Sequence, residues 1–161
     1  MKWTVLMLAC SLLGWAGMMV AVSASRGDAP RIYRVILQVN DIERAAKFYT
    51  ELLGVEGQRV SPGRHYFDCG GVILALFNPR GDEDAFDARP NPDHVYFAVD
   101  NLESVFRRAE KLGGLSAETG DGNLPMGKIA QRPWGETSFY MKDPFGNPLC
   151  FVDRQTLFTG S

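Results

Sequence analysis

The chain has 161 residues, enough for one domain or two small fused modules that share a core. Its 45% hydrophobic and 22% charged residues are ordinary for a globular protein. The formal net charge of −2 supplies no basic stripe to neutralise phosphates, so nucleic acid is not an expected partner.

Trp3 to Ser25 carries no charged residue, Lys2 precedes it, and Val22-Ser23-Ala24 puts small residues where a signal peptidase reads. Residues 1–29 therefore read as a signal peptide or N-terminal membrane anchor plus a short linker, giving an exported or membrane-anchored protein. The alternative is a cytoplasmic protein that starts at Met18 or Met19. The membrane is an expected partner only through residues 3–25. Beyond this segment only Cys69 and Cys150 remain, too few for a disulfide framework.

Tyr33 to Asn40 alternates, with Tyr33, Val35, Leu37 and Val39 on one face and Arg34, Ile36, Gln38 and Asn40 on the other. Asp41 is a good N-cap, and Ile42, Ala45, Ala46, Tyr49, Leu52 and Leu53 recur at helical spacing until Gly54. Turns at Ser61-Pro62-Gly63 and Gly70-Gly71 separate short strands at 55–60, 65–68 and 72–77. Residues 78–93 are rich in Pro, Gly, Asp and Arg and read as a linker with at most one helical turn at 82–86. From His94 the order repeats: Val95, Val99, Asn101, Leu102, Glu103, Leu112 and Gly114 fall 60 positions after Val35, Val39, Asp41, Ile42, Glu43, Leu52 and Gly54. A Gly/Pro-containing loop follows at 119–131. Strands at 137–142 and 148–153 flank the turn Asp143-Pro144-Phe145-Gly146-Asn147. In the tail, 154–161, only Leu157 and Phe158 are expected to pack.

The run from Val39 to Gly54, taken with Asp143-Pro-Phe-Gly-Asn147, resembles the vicinal-oxygen-chelate superfamily of glyoxalase I, bleomycin-resistance proteins and extradiol dioxygenases. The resemblance implies an α+β fold, two tandem β-α-β-β-β modules forming a cup-shaped mixed sheet. The domain would span residues 30–153, with module one at 31–78, a linker at 79–93 and module two at 94–153. In metal-dependent members four side chains from the first and last strands of the two modules chelate a divalent ion. The matching positions here are Arg34, Ala75, His94 and Cys150: a permanent cation, a side chain without a donor, one imidazole and one thiol. No cofactor is expected from that set. A divalent metal stays open only through His94 and Cys150.

Each candidate has a plain alternative. His94 is a possible acid or base, or a histidine satisfied by one backbone hydrogen bond. Cys150 is a ligand-facing thiol or a small buried filler. His65 reads as rim or surface. A charge at Arg34, beside Ile36 and Gln38, must meet an anion or an internal carboxylate such as Glu136. Trp134 stacks on a guest or closes the core where loop meets strand. Phe77, Tyr66, Tyr96 and Phe139 complete an apolar wall around Arg34, Gln38, His94 and Glu136, the usual make-up of a small-molecule pocket. The expectation is a homodimer that binds or sequesters a small molecule at Arg34, Gln38, Phe77, Tyr96, Trp134 and Cys150. The alternatives are a lyase, isomerase or dioxygenase using His94 and Glu136, or an inactive envelope interaction domain.

Overall fold

Alternation in the first strand does what the pattern requires: Leu37 and Val39 are fully buried while Ile36 stays half exposed on the opposite face. In the computed structural model, which describes residues 30–158, the elements are β1 (Arg34–Gln38), α1 (Ile42–Leu53), β2 (Gln58–Ser61), β3 (Arg64–Asp68) and β4 (Ile73–Phe77). The same order follows as β5 (Val95–Val99), α2 (Leu102–Leu112), β6 (Ala130–Gln131), β7 (Thr137–Lys142) and β8 (Pro148–Asp153). Residues 1–29, with the expected signal or anchor, and residues 159–161 lie outside the described residues.

The strands make two four-stranded mixed sheets, ordered β1-β4-β3-β2 and β5-β8-β7-β6. In each, the first strand pairs parallel with the last, across a helix that bridges them. Val35 lies opposite Leu74 and Val95 opposite Leu149, so the 60-residue offset holds in three dimensions. Arg34 and His94 therefore occupy equivalent places, as do Ile36 and Tyr96, and Ala75 and Cys150.

Caps start both helices. The Asp41 carboxylate accepts from Arg44 N at 3.0 Å, and Asn101 Oδ1 accepts from Ser104 N at 2.9 Å. Gly54, at φ 71°, ends α1. In α2 the left-handed stop is Gly113, at φ 75°, one residue earlier than the repeat predicts, because either of two adjacent glycines can take that conformation. The buried faces of α1 and α2 pack on each other and on both sheets. Tyr49, Leu52, Phe67, Leu76, Phe139, Met141 and Phe151 join one core.

The Asp143–Asn147 turn ties module two to module one. Asp143 Oδ1 accepts from the backbone N–H of Phe145 (2.9 Å) and Asn147 (2.8 Å), which shapes the turn. Its Oδ2 accepts from Tyr49 Oη at 2.8 Å and from Asn147 Nδ2 at 2.7 Å. Asn147, fully buried, also donates to Gln38 O at 3.0 Å and accepts from Asn91 N at 2.9 Å. Burial, then the neighbouring Asp143, pushes the Tyr49 hydroxyl well above its ordinary value, so it remains a donor.

Three local expectations need correction. The strand read at 55–60 starts only at Gln58, since the glycine-containing stretch before it leaves the helix without pairing. The helical turn of the linker is at Pro79–Asp82, where proline fixes the first turn, rather than at 82–86. Phe158 is 74% exposed and does not pack.

Candidate ligand-binding site

On the face of the first sheet away from α1 lies a hollow of about 400 Å³, lined by Arg34, Ile36, Val60, Ser61, Arg64, Tyr66, Ala75 and Phe77. Strand register builds it: Ile36, Ala75 and Tyr66 stand side by side across β1, β4 and β3, and Phe77 stands opposite Arg64. Most of the wall is apolar.

Its two cations differ. Arg64 lies over the Phe77 ring at 4.5 Å and is paired with Asp82 from the linker. Asp82 also accepts from Ser61 Oγ at 2.7 Å and Gly63 N at 2.7 Å, and these bonds with Arg64 hold its carboxyl below the usual range. Arg34 is exposed. The central carbon of its guanidinium sits 4.9 Å from the Tyr33 ring centre and 4.8 Å from that of Tyr66. Among the described residues no carboxylate pairs with Arg34.

The other expected site residues lie elsewhere. Gln38 does not line the hollow, and its Oε1 accepts from Arg89 N at 2.9 Å in the linker. Glu136, expected as an internal partner for Arg34, instead accepts from Trp134 Nε1 at 2.9 Å and Phe158 N at 3.3 Å. Trp134 is 47% exposed there and closes no core. His94, Tyr96 and Cys150 gather around Tyr140 on the second sheet; the His94 ring meets Tyr140 edge-on at 5.0 Å.

Part of that second face is covered. Met126 packs on Tyr140, Cys150 and Val152. Arg132 is 5% exposed and donates from Nε to Ser138 Oγ at 3.0 Å and from Nη2 to Ser138 O at 2.8 Å and Lys128 O at 3.1 Å. Cys150 is fully buried, and burial pushes its thiol up to about 11 despite hydrogen bonds with Tyr140 and Ser138. Arg34, Ala75, His94 and Cys150 thus present a cation, a methyl, one imidazole and a protonated thiol. These do not fit a divalent ion, and no three His, Cys, Asp or Glu side chains gather to hold a metal among the described residues.

His65 departs from the surface reading. Both ring nitrogens are shielded from solvent without a hydrogen-bond partner among the described residues, and the ring lies 5.1 Å from Phe67 on the face opposite the hollow. Burial first, then nearby Arg59, lowers its pKa.

A second, larger groove of about 680 Å³ runs between the β1 and β5 sides, lined by Val35, Leu53, Cys69, Leu74, Val95, Phe97, Val99 and Arg108, among others. In it Arg108 donates to Leu52 O at 2.8 Å and to Ser104 Oγ at 2.9 Å, and Arg154 pairs with Asp100 at 2.8 Å. The first hollow is therefore the better ligand site, because among the described residues its Arg34 meets only the rings of Tyr33 and Tyr66, whereas Arg108 is held by oxygen acceptors.

Sequence reasoning missed Arg64, Ser61, Asp82 and Arg132. Only the turn at Ser61-Pro62-Gly63 hinted at the first two, and no local pattern joins Asp82 to them across the linker.

Module order, capping and the Asp143–Asn147 latch match a family pattern along most of the chain. A model of the Glyoxalase/Bleomycin resistance protein/Dioxygenase superfamily matches residues 31–151. The chain belongs to that superfamily. Its fold is similar to that of a lactoylglutathione lyase from Agrobacterium tumefaciens, at 23% identity and a TM-score of 0.59 over 78% of this chain and 95% of that one. A bleomycin resistance determinant encoded on transposon Tn5 matches at 20% identity and a TM-score of 0.57, covering 78% and 99%. A glyoxalase-related enzyme from Fulvimarina pelagi matches at 18% and 0.61, covering 83% and 94%. At these identities the likeness is one of fold. A tRNA (guanine-N(1)-)-methyltransferase of Chlamydia muridarum (strain MoPn / Nigg) is 28% identical over 111 residues, 65% of this chain. The chain spans 28% of the length of that relative.

Proposed function

We propose that this superfamily member binds and sequesters a small molecule in the hollow of its first sheet, without a catalytic metal. One observation carries the reading: a guanidinium that no carboxylate pairs among the described residues is set in an apolar hollow at Arg34, where metal chelation would need a donor. The arrangement has the usual make-up of a ligand pocket, apolar walls with a few convergent polar groups. An acid–base enzyme using His94 and Glu136 finds less support, since Glu136 is held by Trp134 and Phe158 while His94 lies against Tyr140.

The proposal includes a homodimer. The hollow draws on one module alone, whereas a cup needs a second wall. It also includes export or anchoring through residues 3–25, which a mature N-terminus just after Ala24, or carbonate-resistant membrane sedimentation, would support; soluble protein starting at Met18 or Met19 would overturn it.

Elemental analysis of the purified full chain, combined with a ligand thermal-shift panel, tests the binding reading. Chelator is expected to leave Tm unchanged while a bound small molecule raises it by mass action. A stoichiometric ion whose removal lowers Tm would defeat the proposal.

A further inference from the structure

We infer that the ligand is an apolar monocarboxylate: an apolar body bearing a single negative charge. This rests on the small-molecule reading above and sharpens it through the charge balance of the hollow. Arg64 is already neutralised by Asp82, which is held in its charged form by Ser61 and the Gly63 N–H. Among the described residues that line the hollow, the remaining charge is one unit, on Arg34. A monoanion matches it, whereas a dianion would leave a surplus negative charge beside the Asp82 carboxylate.

The surroundings of Arg34 select the head group. The rings of Tyr33 and Tyr66 lie against the guanidinium at 4.9 and 4.8 Å, and a ring face accepts none of the strong in-plane hydrogen bonds that a guanidinium can donate. Its fork therefore remains free for a carboxylate, whose two oxygens match it in one plane. The walls select the body. Ile36, Ala75 and Phe77 supply no donor or acceptor side chain, so a polar or cationic body would lose hydration there without recompense. Ala75 also matters by what it lacks, since a carboxylate at that place would cancel the charge of Arg34.

The test uses three probes of one shape and different charge on the full chain: 2-naphthoate, 2-naphthalenemethanol and 2-naphthylmethylammonium. Binding is followed by calorimetry and by amide shifts at Ile36, Ala75 and Phe77. Naphthoate is expected to bind at these residues at least tenfold more tightly than the alcohol, with the ammonium weakest. Arg34→Met should abolish the preference for the acid, and Arg34→Lys should restore part of it. Acid and alcohol binding equally at these residues would overturn the charge assignment and leave the ligand-binding reading standing. Tighter binding of the ammonium would do the same. If none of the three shifts these amides at millimolar concentration, the inference and the small-molecule assignment of this hollow both fall.

Discussion

Arg34 is a cation on a strand face it shares with Ile36 and Gln38, and its sequence neighbours offered two explanations, a guest anion or an internal carboxylate. The structure supplies no carboxylate among the described residues: Glu136 is occupied by Trp134, and Asp82 belongs to Arg64. Arg34→Met therefore strands no buried partner. We expect a change of less than about 1 kcal/mol in unfolding free energy by urea denaturation, against about 3–5 kcal/mol if a paired charge were left behind. His65 makes the opposite kind of prediction. Its folded-state pKa is depressed, so the unfolded chain binds the extra proton first, and stability is lost as pH falls below the ordinary histidine value near 6.5. His65→Phe should flatten the decline in stability between about pH 7 and 5 and, by removing two unpaired buried nitrogens, should not destabilise the fold at pH 8. Parallel denaturation series at the three pH values check this, and an unchanged slope would show that other groups set it.

Helices and most strands were legible because each requires a distinct local pattern. Asp41 and Asn101 cap, Gly54 stops, and Leu37 and Val39 alternate with exposed neighbours. What failed locally was short or ambiguous. β6 has two residues, too few for a period, and it emerges inside a stretch read as loop. At Gly113-Gly114 the sequence offers two equivalent stops. The Asp143–Asn147 turn was recognisable as a motif, yet its role became visible only through Tyr49 and Gln38, which are 94 and 109 residues distant in the chain from their partners in the turn. A double-mutant cycle measures that role. Tyr49→Phe should cost about 1.5–3 kcal/mol, the range for a bond to a charged group, and Asn147→Ala about 2–4 kcal/mol, through stranded partners and a cavity. The two should be coupled, since both donate to Asp143 Oδ2. Strict additivity would mean that the latch is two independent contacts.

At the scale of the molecule, the sequence indicated which side chains share a strand face but not which faces share a hollow. Arg34, Phe77 and Tyr66 do come together; His94, Tyr96 and Cys150 form a separate cluster around Tyr140 on the other sheet, where Met126 covers Tyr140 and Cys150. Strand alternation carries no information about how two sheets are set against each other, so one cup with all eight candidates was beyond it. The same architecture leaves β1 and β5 each at one edge of its sheet, with β2 and β6 at the other. Natural edges are blunted by lysine, proline, bulges or an overlying segment, and β5, Val-Tyr-Phe-Ala-Val, carries none of these charges or breaks in sequence. Ile32, Tyr33, Ile36 and Tyr96 are 76, 60, 49 and 56% exposed along or beside the two strands, an apolar cost that a second copy would remove. We therefore expect sedimentation equilibrium to give twice the chain mass, and Tyr96→Lys, which places a charge on the β5 edge, to shift the protein toward monomer without lowering its unfolding free energy per chain at high dilution. Loss of the dimer should also weaken any ligand held at Arg34, because a half-open hollow leaves one side of the guest in water. A wild-type protein that stays monomeric at every accessible concentration would remove the second copy from the site and leave the hollow of the first sheet to bind alone.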